Sequence, residues 1–165
     1  MSIEKARAYL REYGLDDKIM EFEVSSATVA EAAKAIGCEE GEIAKSLSFV
    51  IEDRAILVIA SGNAKVDNGK FKAQFHTKAK MIPFDDVEKM TGHAVGGVCP
   101  FGINDGVKVY LDSSLKQFET VYPACGSSNS AIKLTLEQLE DITDYVEWVD
   151  VCKDIGGCNP LSQLC

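Results

Sequence analysis

The sequence predicts an α+β fold: a mixed, mainly antiparallel β-sheet, partly barrel-like, surrounded by short helices. Three observations predict it. Short apolar, β-branched runs are interleaved with short helix-period segments along the whole chain. Two of those runs, "IAKSLSFVI" and "AILVIASG", abut across the polar tripeptide Glu52-Asp53-Arg54 and read as a hairpin. Two capping boxes, Thr28 with Glu31 and Thr135 with Gln138, mark helix starts independently of the apolar pattern.

Each element follows in order. Ile3, Ala6, Leu10 and Tyr13 recur at helical spacing, with Ser2 as N-cap and Gly14 as the stop. "KIMEFEV" alternates as a short strand. The Thr28 box opens the helix "VAEAAKAI", which Gly37 closes. The hairpin strands fall near 44–51 and 55–60, and alternation places Lys45, Leu47 and Phe49 on one face with Ala44, Ser46, Ser48 and Val50 on the other. A lysine-rich helix runs from Val66 to Phe75, followed by a short strand "AKMI". Pro83 starts the helix "FDDVEKMT", with acids in its first turn and Gly92 after its end. After the glycine loop "HAVGGVCPFGIND", Val107, Val109 and Leu111 alternate as a strand. "FETVYPACGSSNSAIKLT" supplies two strands around a Gly/Ser/Asn turn, "LEQLEDI" a helix, and "VEWVDV" a final strand.

The chain has 165 residues, enough to bury one substantial core, and residues 1–152 contain no repeat or linker. They read as one domain, with 153–165 as a short C-terminal extension carrying Cys158 and Cys165. The N-terminus is charged and no apolar run is long enough for a membrane span, so the expectation is a cytoplasmic protein with no membrane association. In that compartment the six cysteines stay reduced. Without a Cys-x-x-Cys pair or a zinc-type histidine spacing, no metal or other cofactor is expected. A monomer is the simplest oligomeric expectation.

A net charge of −9 argues against a general nucleic-acid binder. The charge is uneven, however. Between Lys65 and Lys80 lie five lysines (65, 70, 72, 78 and 80) and a single acid, Asp67. That segment is either a solvated lysine face or a local site for a polyanion.

Lys45 shares its strand face with apolar residues, an odd place for an ammonium group. It either snorkels from the sheet edge or serves as an anion or carbonyl ligand. The loop "GGVCPFG" lacks both the P-loop and the dinucleotide spacing. Gly96 and Gly97 let amides approach a ligand without a Cβ in the way, and Pro100 fixes the chain beyond them. Such a loop either turns a corner or holds a carbonyl oxygen as an oxyanion hole does. Cys99 with His93 six residues upstream makes only a weak thiol-enzyme signature.

In order, "AKSLSFV", Lys65-Val66-Asp67, "GGVCPFG" and "YPACGSSNSAIKL" resemble the YbaK/EbsC family, the superfamily of the prolyl-tRNA synthetase editing (insertion) domain. The resemblance covers roughly residues 20 to 150. It implies an aminoacyl-tRNA deacylase acting in trans on mischarged tRNA, with proline tRNA carrying Ala or Cys, or a Ser/Thr-type mischarge, as the expected substrate. It assigns Lys45 and the amides of Gly96 and Gly97 to catalysis. Val98, Cys99, Pro100, Phe101, Gly126 and Ser127 line the substrate site, and Lys65, Lys70, Lys72, Lys78 and Lys80 meet the acceptor end of the tRNA. A synthetase is a further expected partner, since −9 weakens binding to free tRNA. Some editing domains carry a histidine on the third wall; neither His76 nor His93 lies there. A non-catalytic module binding a tRNA end, amino acid or nucleotide in the same pocket is the alternative.

Overall fold

The structure, a computed structural model, describes residues 2–154; the rest of the extension, with Cys158 and Cys165, lies outside the described residues. Helix α1 (Ser2–Arg11) takes Ser2, the expected N-cap, as its first helical residue, and Gly14 turns the chain in the left-handed region at φ 72°. Strand β1 (Met20–Glu21) is shorter than "KIMEFEV" suggested: a 3-10 turn over Asp16–Lys18 takes its first residue, and its ladder partner, Ser130–Ala131, is only two residues long. Helix α2 (Val29–Ile36) carries the full Thr28–Glu31 capping box and ends at Gly37, φ 86°. Strands β2 (Ile43–Ile51) and β3 (Arg54–Ser61) form the hairpin, and β4 (Ala64–Val66) follows.

Helix α3 (Asn68–Phe75) starts two residues after the expected Val66, because the Asp67 side chain accepts the Lys70 amide and caps it there. "AKMI" contributes only a bridge between Phe49 and Met81. Helix α4 (Phe84–Thr91) lies between Pro83 and left-handed Gly92 as expected. Strand β5 (Lys108–Asp112) leads into β6 (Thr120–Pro123), β7 (Ser130–Ala131) and β8 (Leu134–Thr135), three short strands where two were expected. Helix α5 (Leu136–Ile142) has its Thr135–Gln138 box, and β9 (Tyr145–Val149) follows. Strand β10 (Cys152–Asp154) then pairs antiparallel with β4, so residues 153 and 154 of the expected extension are held in a two-stranded sheet.

The main sheet runs β8-β6-β2-β3-β5-β9 and curls into a half-barrel. Among the described residues four ladders are antiparallel and three parallel. Strand β3 is buried from Ala55 to Ser61, as a central strand covered on both faces must be. Leu57 and Ile59 enter the core shared with α1, α5 and the glycine loop; Ile56, Val58 and Ala60 enter the core under α3. Buried Asp112 ties the layers by accepting the amides of Ser114 (2.9 Å) and Val151 (2.8 Å). No helix among the described residues is long and apolar enough to cross a membrane.

The hairpin turns on two residues, Glu52 and Asp53, with φ 50° and 66°; Arg54 already pairs with Ile51. A two-residue loop needs this left-handed pair to match the strand twist, and Asn-Gly suits it better than Glu-Asp. The double substitution Glu52→Asn, Asp53→Gly raises unfolding stability by about 1 kcal/mol, read as a higher urea midpoint at unchanged m-value.

Candidate functional site

The site is built on one edge of β2. On its β3 side the strand is paired continuously from Ala44 to Ile51. On the other side β6 pairs only with Ile43 and Ala44, and the segment 80–82 takes over at Ser48 and Val50 through Ile82 N–H to Ser48 O (3.2 Å) and Val50 N–H to Lys80 O (2.9 Å). Between those two partners the edge is forked. Backbone groups alternate sides along an antiparallel strand, so the N–H and C=O of Ser46 point into the fork, like those of Ser48 and Val50.

A cavity of about 330 Å³ occupies the fork. Ala44, Lys45, Ser46 and Ser48 form its floor. One wall is Ser26–Val29 with Ala32, a second is Met81, Ile82, Phe84 and Val87, and a third is Tyr122, Ala124, Ser130 and Ala131. Val95, Gly96 and Val98 of the glycine loop close it. The lining side chains are mostly small, and Lys45 is the single charged residue among them.

Lys45 and the glycine loop both border this cavity. The ammonium donates to the carbonyls of Gly62 (3.4 Å) and Ala64, in the turn and strand after β3. Burial lowers the Lys45 pKa below the ordinary 10.5 of a lysine, with the nearby Cys152 opposing the shift.

The loop itself requires corrections. Gly97 N–H donates to Ala94 O (3.0 Å), so this amide is spent on the turn. The amides of Gly96 and Val98 have no acceptor among the described residues, and both residues line the cavity. Gly97 serves instead in close packing: a Cβ there would stand 2.5 Å from Ser127 N and 2.6 Å from Gly126 C. Gly126 and Ser127 therefore back the loop and do not line the cavity, while Ser127 Oγ bonds Asn129 (2.9 Å) and Ser130 (2.6 Å). Gly96 holds φ 97°, a conformation that favours glycine.

Cys99 and Phe101, expected as lining residues, are fully buried in the main core, and Pro100 borders a different cavity beside Tyr9. After Val98 the irregular chain turns away from the fork and packs Cys99 and Phe101 into the core. Burial pushes the Cys99 thiol up to about 12, and Sγ lies 3.6 Å from both His93 Nε2 and Phe101 O. A thiol so placed is not a thiolate nucleophile. His93 also bonds Phe101 O through Nε2 (2.7 Å), fastening the two ends of the loop.

The five lysines are exposed. Lys70 is engaged by Asp150 (3.1 Å) and Cys152 O (3.1 Å), while Lys78 and Lys80 lead directly into the wall residues Met81 and Ile82. No group of three or more His, Cys, Asp or Glu among the described residues is arranged to hold a metal ion.

Sequence reasoning missed Ser26–Val29, Met81, Phe84 and Val95, which no local motif marks. It had Ser46 and Ser48 on a common face, and that parity was the usable signal. The hydroxyls of Ser26 and Ser46 are buried without a partner among the described residues.

Comparison with known proteins bears directly on this cavity. Residues 23–142 match the family model described as "Aminoacyl-tRNA editing domain". The chain is 49% identical over 155 residues to the uncharacterized protein YwhH of Bacillus subtilis (strain 168), covering 93% of this chain and 99% of that protein. It is 31% identical over 104 residues to the proline–tRNA ligase of Shouchella clausii, 62% of this chain but 18% of that enzyme. A solved structure described as a candidate trans-editing enzyme for prolyl tRNA synthetase superposes with a TM-score of 0.82 at 32% identity, over 92% of this chain and 97% of that one. Hypothetical protein APE2540 shares the fold, with a TM-score of 0.76 at 23% identity over 88% of this chain and 99% of that one.

Two outcomes follow from the loop. Gly97→Ala drives a Cβ into backbone atoms that cannot rotate away, lowering stability by about 1–3 kcal/mol, read by urea denaturation. Burial, aided by Lys5, holds the His93 imidazole below its ordinary 6.5 against the opposing pull of the Phe101 carbonyl and Glu88. The unfolded chain then binds the extra proton first, so stability present above pH 6.5 is lost as pH falls from there toward the lower folded value. His93→Gln flattens the difference in denaturation midpoint between pH 7 and pH 5.5.

Proposed function

The chain belongs to the aminoacyl-tRNA editing domain family, and from that premise we propose that it is a deacylase that hydrolyses the ester of mischarged tRNA in trans. The observation that carries the reading is the forked cavity, where unengaged amides of Gly96 and Val98 share a small-walled space with Lys45. Oriented amides aimed at a carbonyl oxygen stabilise the oxyanion that forms when water attacks an ester. Water adds to the carbonyl carbon, the bond to the ribose oxygen breaks, and that oxygen takes up a proton. The products are a free amino acid and an intact tRNA.

Lys45 supplies the positive charge at the cavity wall, held in place by two backbone carbonyls. Gly97 and Pro100 act by holding the loop's shape. No side-chain nucleophile is required, because an aminoacyl ester is intrinsically reactive. To the exposed lysines at 65, 72, 78 and 80 we assign contacts with tRNA phosphates, whereas Lys70 is already paired with Asp150.

The finer substrate assignment is proline tRNA carrying a small amino acid. Similarity to prolyl-tRNA ligases supports the tRNA, and a cavity walled by Ala, Ser, Thr and Val supports Ala, Cys, Ser or Thr. Methylene-scale differences give only ~1–3 kcal/mol of discrimination, so several of these are hydrolysed at graded rates. A panel of proline tRNA charged with each of the four tests the reading by release of free amino acid. Lys45→Ala reduces the rate on the order of 100-fold. Absence of release from every charged tRNA, or a Lys45→Ala variant as active as the parent, overturns it.

A further inference from the structure

We propose that Phe84, with Met81 beside it, is a stacking platform for the 3′-terminal nucleobase of the tRNA. The proposal rests on the deacylase reading and names a contact which that reading leaves open. Six large apolar side chains are prominently exposed among the described residues, and three of them, Met81 (54%), Phe84 (74%) and Val95 (46%), line the same cavity. Exposed apolar surface concentrated at the mouth of a site marks a binding surface.

Phe84 has no packing duty that explains it. It is the first residue of α4, directly after Pro83, and the helix is anchored by buried Val87 and Thr91. It makes no ring contact with another aromatic residue of the described chain, unlike Phe49, Phe71 and Phe75, which stack among themselves. A presented, unpartnered aromatic face suits a nucleobase, because every base has a π-face.

Size points the same way. At about 330 Å³ the cavity is near the lower end for small-molecule sites. It takes an aminoacyl group and part of a ribose, leaving the base at the lip.

Charge sets the direction of the chain. Lys78 and Lys80, exposed and without an ion-pair partner among the described residues, precede Met81. Asp85 and Asp86, also exposed, follow Phe84. A phosphate backbone is drawn to the lysine side and repelled from the helix side, with the neutral base between them. Because all tRNAs end in the same adenosine, stacking without base-edge readout is sufficient.

The test uses the full chain and an acceptor-stem RNA hairpin with 2-aminopurine as its 3′-terminal base. The parent protein quenches the fluorophore on binding. Phe84→Ala abolishes the quenching and Phe84→Tyr restores it. With charged tRNA, Phe84→Ala raises KM about fivefold, the low end of what loss of one base–aromatic stack costs, and leaves kcat within about twofold. Quenching by Phe84→Ala equal to the parent overturns the proposal, as does an unquenched hairpin with the parent. Since the hairpin carries no ester, either result is separate from a failure of deacylation, which overturns the functional reading instead.

Discussion

The structure depends on the unequal pairing of β2. Its ladder with β3 spans Ala44 to Ile51 without a break, anchoring the strand between two cores. Its opposite edge is shared by two partners that diverge, β6 at Ile43 and Ala44 and the segment 80–82 at Ser48 and Val50. A sheet edge left open inside a fold would ordinarily be a liability. Here rigidity on one side lets the other side remain open without collapse. The fork is short, and α2, α4 and the glycine loop wall it off, so its polar backbone lines a cavity.

The glycine loop shows the same economy. Its turn is closed by the Gly97 amide, its underside is fastened by His93 to Phe101, and its back is pressed against Gly126 and Ser127. Ser127 in turn bonds Asn129, whose side-chain amide donates to Phe22 O (2.9 Å), and Ser26 N–H donates to Ser128 O (2.6 Å). The first and third walls are thereby stitched to each other. The amides left over, those of Gly96 and Val98, are framed by these bonds and contacts, and fixed donors of that kind are what the proposed oxyanion stabilisation requires.

Local rules carried much of the fold. Caps, breakers and periodicity placed α2, α4, α5 and the β2–β3 hairpin, because each is decided by residues a few positions apart. The shorter strands escaped this logic. β1 and β10 exist through partners far along the chain, Ser130–Ala131 and Ala64–Val66, and no local propensity announces a two- or three-residue strand. The site divides likewise. Lys45 and Gly96 were legible as chemical oddities, whereas Ser26, Met81, Phe84 and Val95 are ordinary residues brought together by tertiary structure. Cys99 was misplaced as a lining residue for a related reason: which side of an irregular loop meets the core is decided by tertiary packing, and the core took it.

Electrostatics reconcile an acidic protein with an anionic substrate. A net charge of −9 acts at long range, but at physiological salt it is screened within about 8 Å. At the cavity the relevant charges are close ones: Lys45 within the wall, and Lys78 and Lys80 leading to the lip. The surplus acids, concentrated at 39–42 and 137–144, discourage RNA from lying on other surfaces. On the proposed reading, an overall negative charge costs affinity for the body of a tRNA while leaving its end to the site, so selectivity for the charged terminus would come from what the rest of the surface repels.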